Sequence, residues 1–339
     1  MPDGSSSHQW AKPLRIGGLE LPNRLVLAPM SSVSTLSARL IAQTAGAGLV
    51  VTETLSACAL VRGSERRHLQ RSTVPSEDRL AVQLFGAKLE TLTEACWLLS
   101  DQGVQWIDLN LGCPVPKFLR KGAGSALMRT PLEIGRIVEA MRRSFHGVLS
   151  VKMRSGWDAR SRNAPEVAQI AANAGAQLIT IHGRTRAQQY RGRADRQLIR
   201  RVVEAVPELP VLANGDVTEA TDVLAITAET GAAGVMIGRG AIGNPWIFEG
   251  ALSLAAGKPI RPPTVADRMV TLERHAELIA SVARDDRERV RELRRYASAY
   301  SKGLPGGRHF RVHAMKAEDA ETLVTLTRNF LADARPEAA

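Results

Sequence analysis

Ile107-Asp108-Leu109-Asn110-Leu111-Gly112-Cys113-Pro114-Val115-Pro116-Lys117 begins as an apolar, strand-like run, delivers an asparagine, and turns at Gly-Cys-Pro. The loop that follows carries Lys117, Arg120 and Lys121 and closes on Gly122-Ala123-Gly124-Ser125. Working outward, the same unit recurs on both sides. Short β-branched runs at Leu25–Ala28, Gly48–Thr52, Ala81–Phe85, Trp106–Leu109, Leu149–Met153, Leu178–Ile181, Val211–Ala213 and Gly234–Ile237 alternate with Ala-rich amphipathic stretches. Leu89–Ser100, Pro131–Ser144, Pro165–Ala174 and Glu219–Thr230 are examples of the latter. Near-continuous apolar strands, each followed by a helix, describe a parallel sheet covered on its outside. Eight such units predict an α/β protein built as a closed (β/α)8 TIM barrel, with an open doubly wound sheet as the alternative.

Polar residues then fall repeatedly where such a barrel keeps its active site, at the carboxyl ends of the strands. In order these are Pro29-Met30, Thr52-Glu53, Gln83, Asn110 with Cys113, Lys152 with Arg154, His182 with Arg184, Asn214-Gly215-Asp216, and Gly238-Arg239. One shared pocket is the simplest account. The last two loops suit a phosphate, because glycines let the backbone come close and Arg239 adds a fixed cation. No G-x-G-x-x-G or G-x-x-x-x-G-K-[ST] opens a helix, so neither a Rossmann nor a P-loop nucleotide site is offered.

Composition narrows the rest. Aromatics make up only 4%, so the core is expected from Ala, Val, Leu and Ile. Cys58, Cys96 and Cys113 share no C-x-x-C spacing and are odd in number, which argues against a disulfide framework and against a metal site. No apolar run reaches membrane-spanning length and no secretory leader is read; residues 1–12 are expected to be a disordered leader. The catalytic barrel is expected over 13–257. The turn-forming Lys258-Pro259-Ile260-Arg261-Pro262-Pro263 then opens an all-α helical domain over 258–339. Between Arg291 and Arg311 that domain carries six Lys/Arg (Arg291, Arg294, Arg295, Lys302, Arg308 and Arg311) against the single acid Glu292, with Tyr296 and Tyr300 one helical turn apart. With a net charge of +11, the run is read as a contact for nucleic-acid phosphates rather than a solvated helix face.

The residues also resemble a known family, the tRNA-dihydrouridine synthases, in their bacterial B-like branch. The resemblance rests on Leu27-Ala28-Pro29-Met30, Gln83-Leu84-Phe85-Gly86, Asp108-Leu109-Asn110-Leu111-Gly112-Cys113-Pro114, Lys121-Gly122-Ala123-Gly124-Ser125 and Val151-Lys152-Met153-Arg154. It continues through His182-Gly183-Arg184-Thr185-Arg186-Ala187-Gln188-Gln189-Tyr190-Arg191-Gly192, Asn214-Gly215-Asp216 and Gly238-Arg239-Gly240. It implies a cytoplasmic flavoprotein that reduces the uracil double bond of particular tRNA uridines, with FMN as cofactor and NADPH as electron donor. Hydride would go to carbon 6, and Cys113 would protonate carbon 5. Pro29, Met30, Gln83, Lys152, His182, Asn214, Gly215, Asp216, Gly238 and Arg239 are expected at the cofactor. Asn110, Lys117, Arg154, Arg184, Arg186, Arg294, Arg295 and Lys302 are expected at the substrate, with Arg191 and Arg193 on the same rim. A monomer without metal is expected. The chain departs from the family's pattern at Thr35, where an Asp is frequent, and at Ala38 and Arg196, where aromatics are frequent; these positions bear on substrate fit. The alternatives are another FMN barrel that reduces free pyrimidines or enones, and a catalytically silent RNA-binding homologue.

Overall fold

Each strand candidate forms a strand, and the strands close on themselves. In the computed structural model, which describes residues 8–334 apart from 72, 76 and 78 and the side chains of 67, 68, 70 and 71, the barrel strands are β1 (Leu25–Leu27), β2 (Leu49–Val51), β3 (Leu80–Phe85), β4 (Trp106–Leu111), β5 (Val148–Arg154), β6 (Leu178–His182), β7 (Val211–Asn214) and β8 (Gly234–Ile237). Each pairs in parallel with its neighbours in sequence, β2 meets β3 at Val50↔Leu80, and β8 returns to β1 at Val235↔Leu25. This is a closed eight-stranded TIM barrel, which excludes the open sheet. A short extra strand, Leu55–Ser56, extends the pairing of β3.

Side chains alternate across a strand, so closure divides every strand into an inward and an outward set. Leu25, Leu27, Val50, Val82, Leu84, Ile107, Leu109, Val151 and Ile179 belong to the core shared with the surrounding helices. Val26, Leu49, Val51, Ala81, Trp106, Val148, Leu178, Leu212 and Met236 form a second, separate cluster. The alternation continues up β4 as Trp106, Asp108, Asn110 and up β5 as Val148, Ser150, Lys152, Arg154. The inward face therefore turns from apolar to polar toward the carboxyl ends.

Two features of the amino-terminal segment were not foreseen. A hairpin, Leu14–Ile16 with Leu19–Leu21, pairs antiparallel and adds Ile16 and Leu21 to the inner cluster. The expected leader over 1–12 is too long: Gln9–Ala11 forms a 3-10 turn in which Trp10 is 1% exposed and joins the barrel–helix core. The Trp10 carbonyl also accepts the Arg24 N–H at 2.7 Å, tying the segment to the entrance of β1. Residues 1–7 lie outside the described residues.

Helix α1 (Trp246–Ala255) buries Ile247, Phe248 and Ala251 in the barrel layer, and residues 256–264 then carry no helix or strand. Beyond them stand α2 (Val265–Val282), α3 (Asp286–Tyr300), α4 (Gly307–Ala314) and α5 (Ala320–Asp333). Thr264 and Asp267 form a capping box that starts α2. The four helices enclose their own core of Leu272, Ile279, Leu293, Tyr296, Tyr300, Phe310 and Leu331. No helix among the described residues is long and apolar enough to cross a membrane.

Trp10→Ala removes a fully buried indole, so stability falls by roughly 3–5 kcal/mol. The urea midpoint drops at unchanged slope; an unchanged midpoint would place the turn outside the cooperative core.

Candidate active site

At the polar end of the barrel, the side chains of three neighbouring strands, with Thr54 from the loop after β2, form one connected network. The Trp106 indole N–H donates to Ser150 Oγ at 2.9 Å, and Ser150 Oγ donates to Asp108 Oδ1 at 2.6 Å. Gln83 Nε2 donates to Asp108 Oδ2 at 2.8 Å, and Gln83 Oε1 accepts from Asn110 Nδ2 at 2.7 Å and from the Thr54 hydroxyl. Asn110 Nδ2 also reaches Thr54 Oγ1 at 3.2 Å, while Asn110 Oδ1 accepts the N–H groups of Gly112 and Cys113 at 3.0 and 2.9 Å. Both ends of the Asn110 amide are thus engaged inside the protein, where the sequence reading had it on the substrate. Gln83 is fully buried, with one amide hydrogen that meets no acceptor among the described residues. Burial pushes the Asp108 carboxyl above its ordinary range, against the bonds from Ser150 and Gln83 and the charge of Lys152.

Cys113 is held at both of its backbone groups. Its N–H is bound by Asn110, and its carbonyl accepts the Ser125 hydroxyl at 2.8 Å and the Ser125 N–H at 3.2 Å. Gly124, at φ +65°, allows that return, since an added Cβ would stand 3.0 Å from the Cys113 oxygen. Burial raises the thiol above its ordinary range, opposed by a hydrogen bond from the Val115 N–H and by the charges of Arg154 and Lys152. The thiol is therefore protonated at neutral pH. The cations that act on it come from β5; Lys117, Arg120 and Lys121 are exposed on the loop beyond. Of the other thiols, Cys96 is buried in the helix Leu89–Asp101 and pushed up to about 12 by burial, while Cys58 is exposed.

Lys152, beside Asn110 in register, is lowered by burial and then by Arg154 from its ordinary 10.5 to about 8, with Asp108 and Cys113 pulling the other way. His182 is lowered well below its ordinary value by burial and by the surrounding charges of Lys152, Arg154, Arg184 and Arg239. It is neutral. The Arg184 guanidinium lies 3.4 Å from His182 Nε2, and because arginine only donates, that nitrogen is the acceptor and Nδ1 carries the proton. Gly215, at φ +120°, makes room for the ring: a Cβ there would meet His182 Cδ2 at 2.9 Å and Ala194 Cβ at 2.8 Å.

Arg154 and Arg184, expected at the substrate, serve as internal braces. Arg154 donates to the carbonyls of Gly112, Thr185 and Gln189 at 2.8, 3.0 and 2.9 Å, joining the Cys113 turn to the loop after β6. Arg184 is 2% exposed and donates to Gly192 O at 2.6 Å and to both oxygens of Asp216 at 2.6 and 2.8 Å. Asp216 accepts the Ala194 N–H as well, at 2.7 Å, so its carboxylate anchors that loop. Tyr190 on the same loop is 56% exposed, with the guanidiniums of Arg239 and Arg154 at 4.7 and 5.7 Å from its ring centre. Arg186 stacks on Trp157 at 4.2 Å. Neither aromatic was singled out from sequence.

The loops after β7 and β8 were read as a phosphate cradle, and their geometry fits one. The backbone N–H groups of Gly215, Asp216, Gly238 and Arg239 donate to no acceptor among the described residues. A Cβ on Gly238 would touch only Ala28 Cβ and Met30 Sδ, both at 3.6 Å, which also brings Met30 to this corner. Arg239 stands 3.9 Å from Asp216. Asn214 is occupied differently, donating to Met236 O at 2.7 Å across the strand pair.

The Pro29–Thr35 loop after β1 is gripped by α3. Tyr296 OH donates to Val33 O at 3.1 Å, Arg295 donates to Ser32 O, and Glu292 accepts from Thr35 and Ser37 at 2.6 and 2.7 Å. An aspartate in place of Thr35 would face the Glu292 carboxylate, so these two positions are matched. Arg294 donates to Ala317 O at 2.7 Å within the helical unit, and His275 stacks on Tyr296 at 3.8 Å and bonds Tyr300 at 2.9 Å. Arg294 and Arg295, predicted to meet substrate, thus make intramolecular contacts, and the two tyrosines are packed. Lys302 is exposed.

A family model described as dihydrouridine synthase matches residues 26–335. The chain belongs to that family. It is 39% identical over 308 residues to a "Probable tRNA-dihydrouridine synthase" of Rickettsia prowazekii, covering 89% of this chain and 93% of the relative. It is 36% identical over 319 residues to "tRNA-dihydrouridine synthase B" of Xanthomonas axonopodis pv. citri, covering 94% and 95%. Among solved structures, histamine dehydrogenase from Rhizobium sp. 4-9 shares the fold with a TM-score of 0.54 at 12% identity, over 80% of this chain and 51% of that one. A 2-naphthoyl-CoA reductase complex does so with a TM-score of 0.55 at 13% identity, over 75% of this chain and 53% of the other. The Asn110-Leu111-Gly112-Cys113-Pro114 turn is thus built on a buried polar network.

Gly215→Ala is expected to strain the backbone and displace the His182 ring, costing about 1–3 kcal/mol. Thermal unfolding checks the cost; an unshifted melting temperature would contradict the packing described.

Proposed function

We propose that the protein is a flavin-dependent tRNA-dihydrouridine synthase of the B-like branch, reducing the 5,6 double bond of particular tRNA uridines with electrons from NADPH. The observation that carries this reading is the Cys113 thiol, fixed at its N–H and carbonyl near Lys152 at the carboxyl end of a closed barrel, where burial favours its protonated form. Reduction adds a hydride to carbon 6 and a proton to carbon 5, and a thiol that keeps its proton at neutral pH is suited to deliver the second. FMN bound with its phosphate on Gly215, Asp216, Gly238 and Arg239 would supply the hydride.

The chain's own residues account for the remaining requirements. Neutral His182 presents an Nδ1–H donor to ring or base. Lys152, when charged, stabilises negative charge at the pyrimidine edge of a ring beside it, and the one free amide hydrogen of Gln83 is available to the same edge. Pro29 and Met30 line the side gripped by α3. A uridine inside folded tRNA must be extruded to reach this depth. Lys117, Arg186 and Lys302, left on the surface, are suited to tRNA phosphates, as is the helical unit over 258–339 as a tRNA-binding domain. We assign the enzyme to the cytoplasm, as a monomer without metal.

Mapping dihydrouridine in tRNA from a strain lacking this protein tests the reading: particular positions revert to uridine. Their persistence, with no second synthase present, would overturn it. Complementation with Cys113→Ala leaves flavin content and NADPH oxidation intact while lowering dihydrouridine formation at least about a hundredfold. Loss of flavin in that variant would make the cysteine structural instead. The pH profile supplies a further test. Lys152 loses its proton as pH rises through about 8, so kcat/KM falls on that alkaline limb. Lys152→Arg keeps its charge to far higher pH and moves the limb upward; an unmoved limb would mean that another group sets it.

A further inference from the structure

The buried network has a direction. At its upper end stand the N–H groups of Gly112 and Cys113, which can only donate. At its lower end stands Asp108, whose carboxylate can only accept. Between them lie two side-chain amides, Gln83 and Asn110, each with one donating and one accepting end, and each able to turn over at no cost in shape. The contacts are satisfied in one arrangement: Asn110 offers its oxygen to the turn and its nitrogen to Gln83, and Gln83 offers its oxygen to Asn110 and its nitrogen to Asp108. Turning either amide brings donor against donor or acceptor against acceptor.

We propose that Asp108 is a positioning residue for Cys113, setting through Gln83 the amide orientation by which Asn110 holds the Gly112–Cys113 turn. The proposal rests on the reading of Cys113 as the proton donor, and it adds a residue that touches neither substrate nor cofactor. Thr54 belongs to the same relay, donating to Gln83 Oε1 and accepting from Asn110 Nδ2. Ser150 holds the other carboxylate oxygen from below and is itself held by the Trp106 N–H, so each Asp108 oxygen is committed to a bond inside the protein.

The substitution Asp108→Asn keeps size and shape but replaces an acceptor by a donor. Among the described residues the Ser150 proton has no acceptor other than position 108, so turning the new amide over would strand it; with Ser150 donating to the new oxygen, the nitrogen faces Gln83 Nε2. Relief by turning Gln83 passes the conflict to Asn110, and relief there passes it to the Gly112 and Cys113 N–H groups, which cannot turn. One mismatch must remain somewhere along the line. Gln83→Glu in that background removes it: both glutamate oxygens accept, one from position 108 and one from Asn110 and Thr54, and Asn110 keeps its orientation. The network's total charge is the same as in the parent.

Peptide-resolved hydrogen–deuterium exchange over residues 111–115 reads the turn directly, and needs neither flavin nor tRNA. The experiment can therefore fail while the proposed activity stands, and the reverse. Asp108→Asn is expected to lower protection at Gly112 and Cys113 about tenfold, the worth of one hydrogen bond. Adding Gln83→Glu restores protection to within about twofold of the parent, and alkylation of Cys113 by iodoacetamide follows the same pattern. If the single variant does not fold, recovery of folding by the pair is the same result in another readout. Parent-like protection in the single variant, or a pair as disturbed as the single or equally unfolded, would overturn the proposal.

Discussion

A closed ring of eight parallel strands gives alternate residues of each strand nowhere to go but the barrel axis, and the axis has room for only a few layers of side chains. This constraint organises the molecule. Its lower layers are filled by Trp106, Val148, Leu178 and their apolar neighbours, with the amino-terminal hairpin beneath them. Its upper layers hold Gln83, Asp108, Ser150, Asn110, Lys152, His182 and Asn214. Polar groups so placed must find partners, because an unpaired buried donor or acceptor costs about 1–3 kcal/mol. The network that results is how a turn on one strand is tied to side chains on its neighbours.

Charge follows the same logic. Lys152, Arg154, Arg184 and Arg239 converge on one end of the barrel, yet two of the arginines are used as braces and one carboxylate, Asp216, is held by Arg184. Burial first, and the converging positive charge second, keep His182 neutral and draw the pKa of Lys152 down to about 8. A pocket that binds an anionic cofactor and an anionic substrate benefits from such an excess. Its coupling to the helical unit runs through the loop after β1, which α3 holds by the Tyr296 hydroxyl, Arg295 and Glu292.

The fold was legible because parallel strands buried on both faces read as apolar runs, and all eight lie where those runs stand. The strand-end rule likewise brought Cys113, Lys152, His182 and Gly238 to one place. What could not be read was the use each polar residue makes of its hydrogen bonds. Arg154, Arg184 and Asn110 have the chemistry of substrate ligands, and only the register of β4, β5 and β6 shows them bonded to carbonyls, amides and carboxylates of the protein. Arg294 and Arg295 could not be sorted for a related reason, since a basic stripe looks the same whether it meets phosphates or another part of the chain, and both bond within the chain. Asp108 did carry a signal: period-two counting from Trp106 puts it on the inner face, directly below Asn110. The hairpin and the Trp10 turn were too short to stand out as periodic segments.

The proposed reaction is reduction of uracil within tRNA rather than of the free nucleotide. Its most direct measurement is anaerobic reoxidation of the photoreduced, flavin-loaded protein, followed by absorbance after mixing with unmodified tRNA or with uridine monophosphate. The account predicts reoxidation with tRNA, with a two-dalton gain at a defined uridine, and none with the mononucleotide. Equal reoxidation by the free nucleotide, or a protein that takes up no flavin at all, would contradict it.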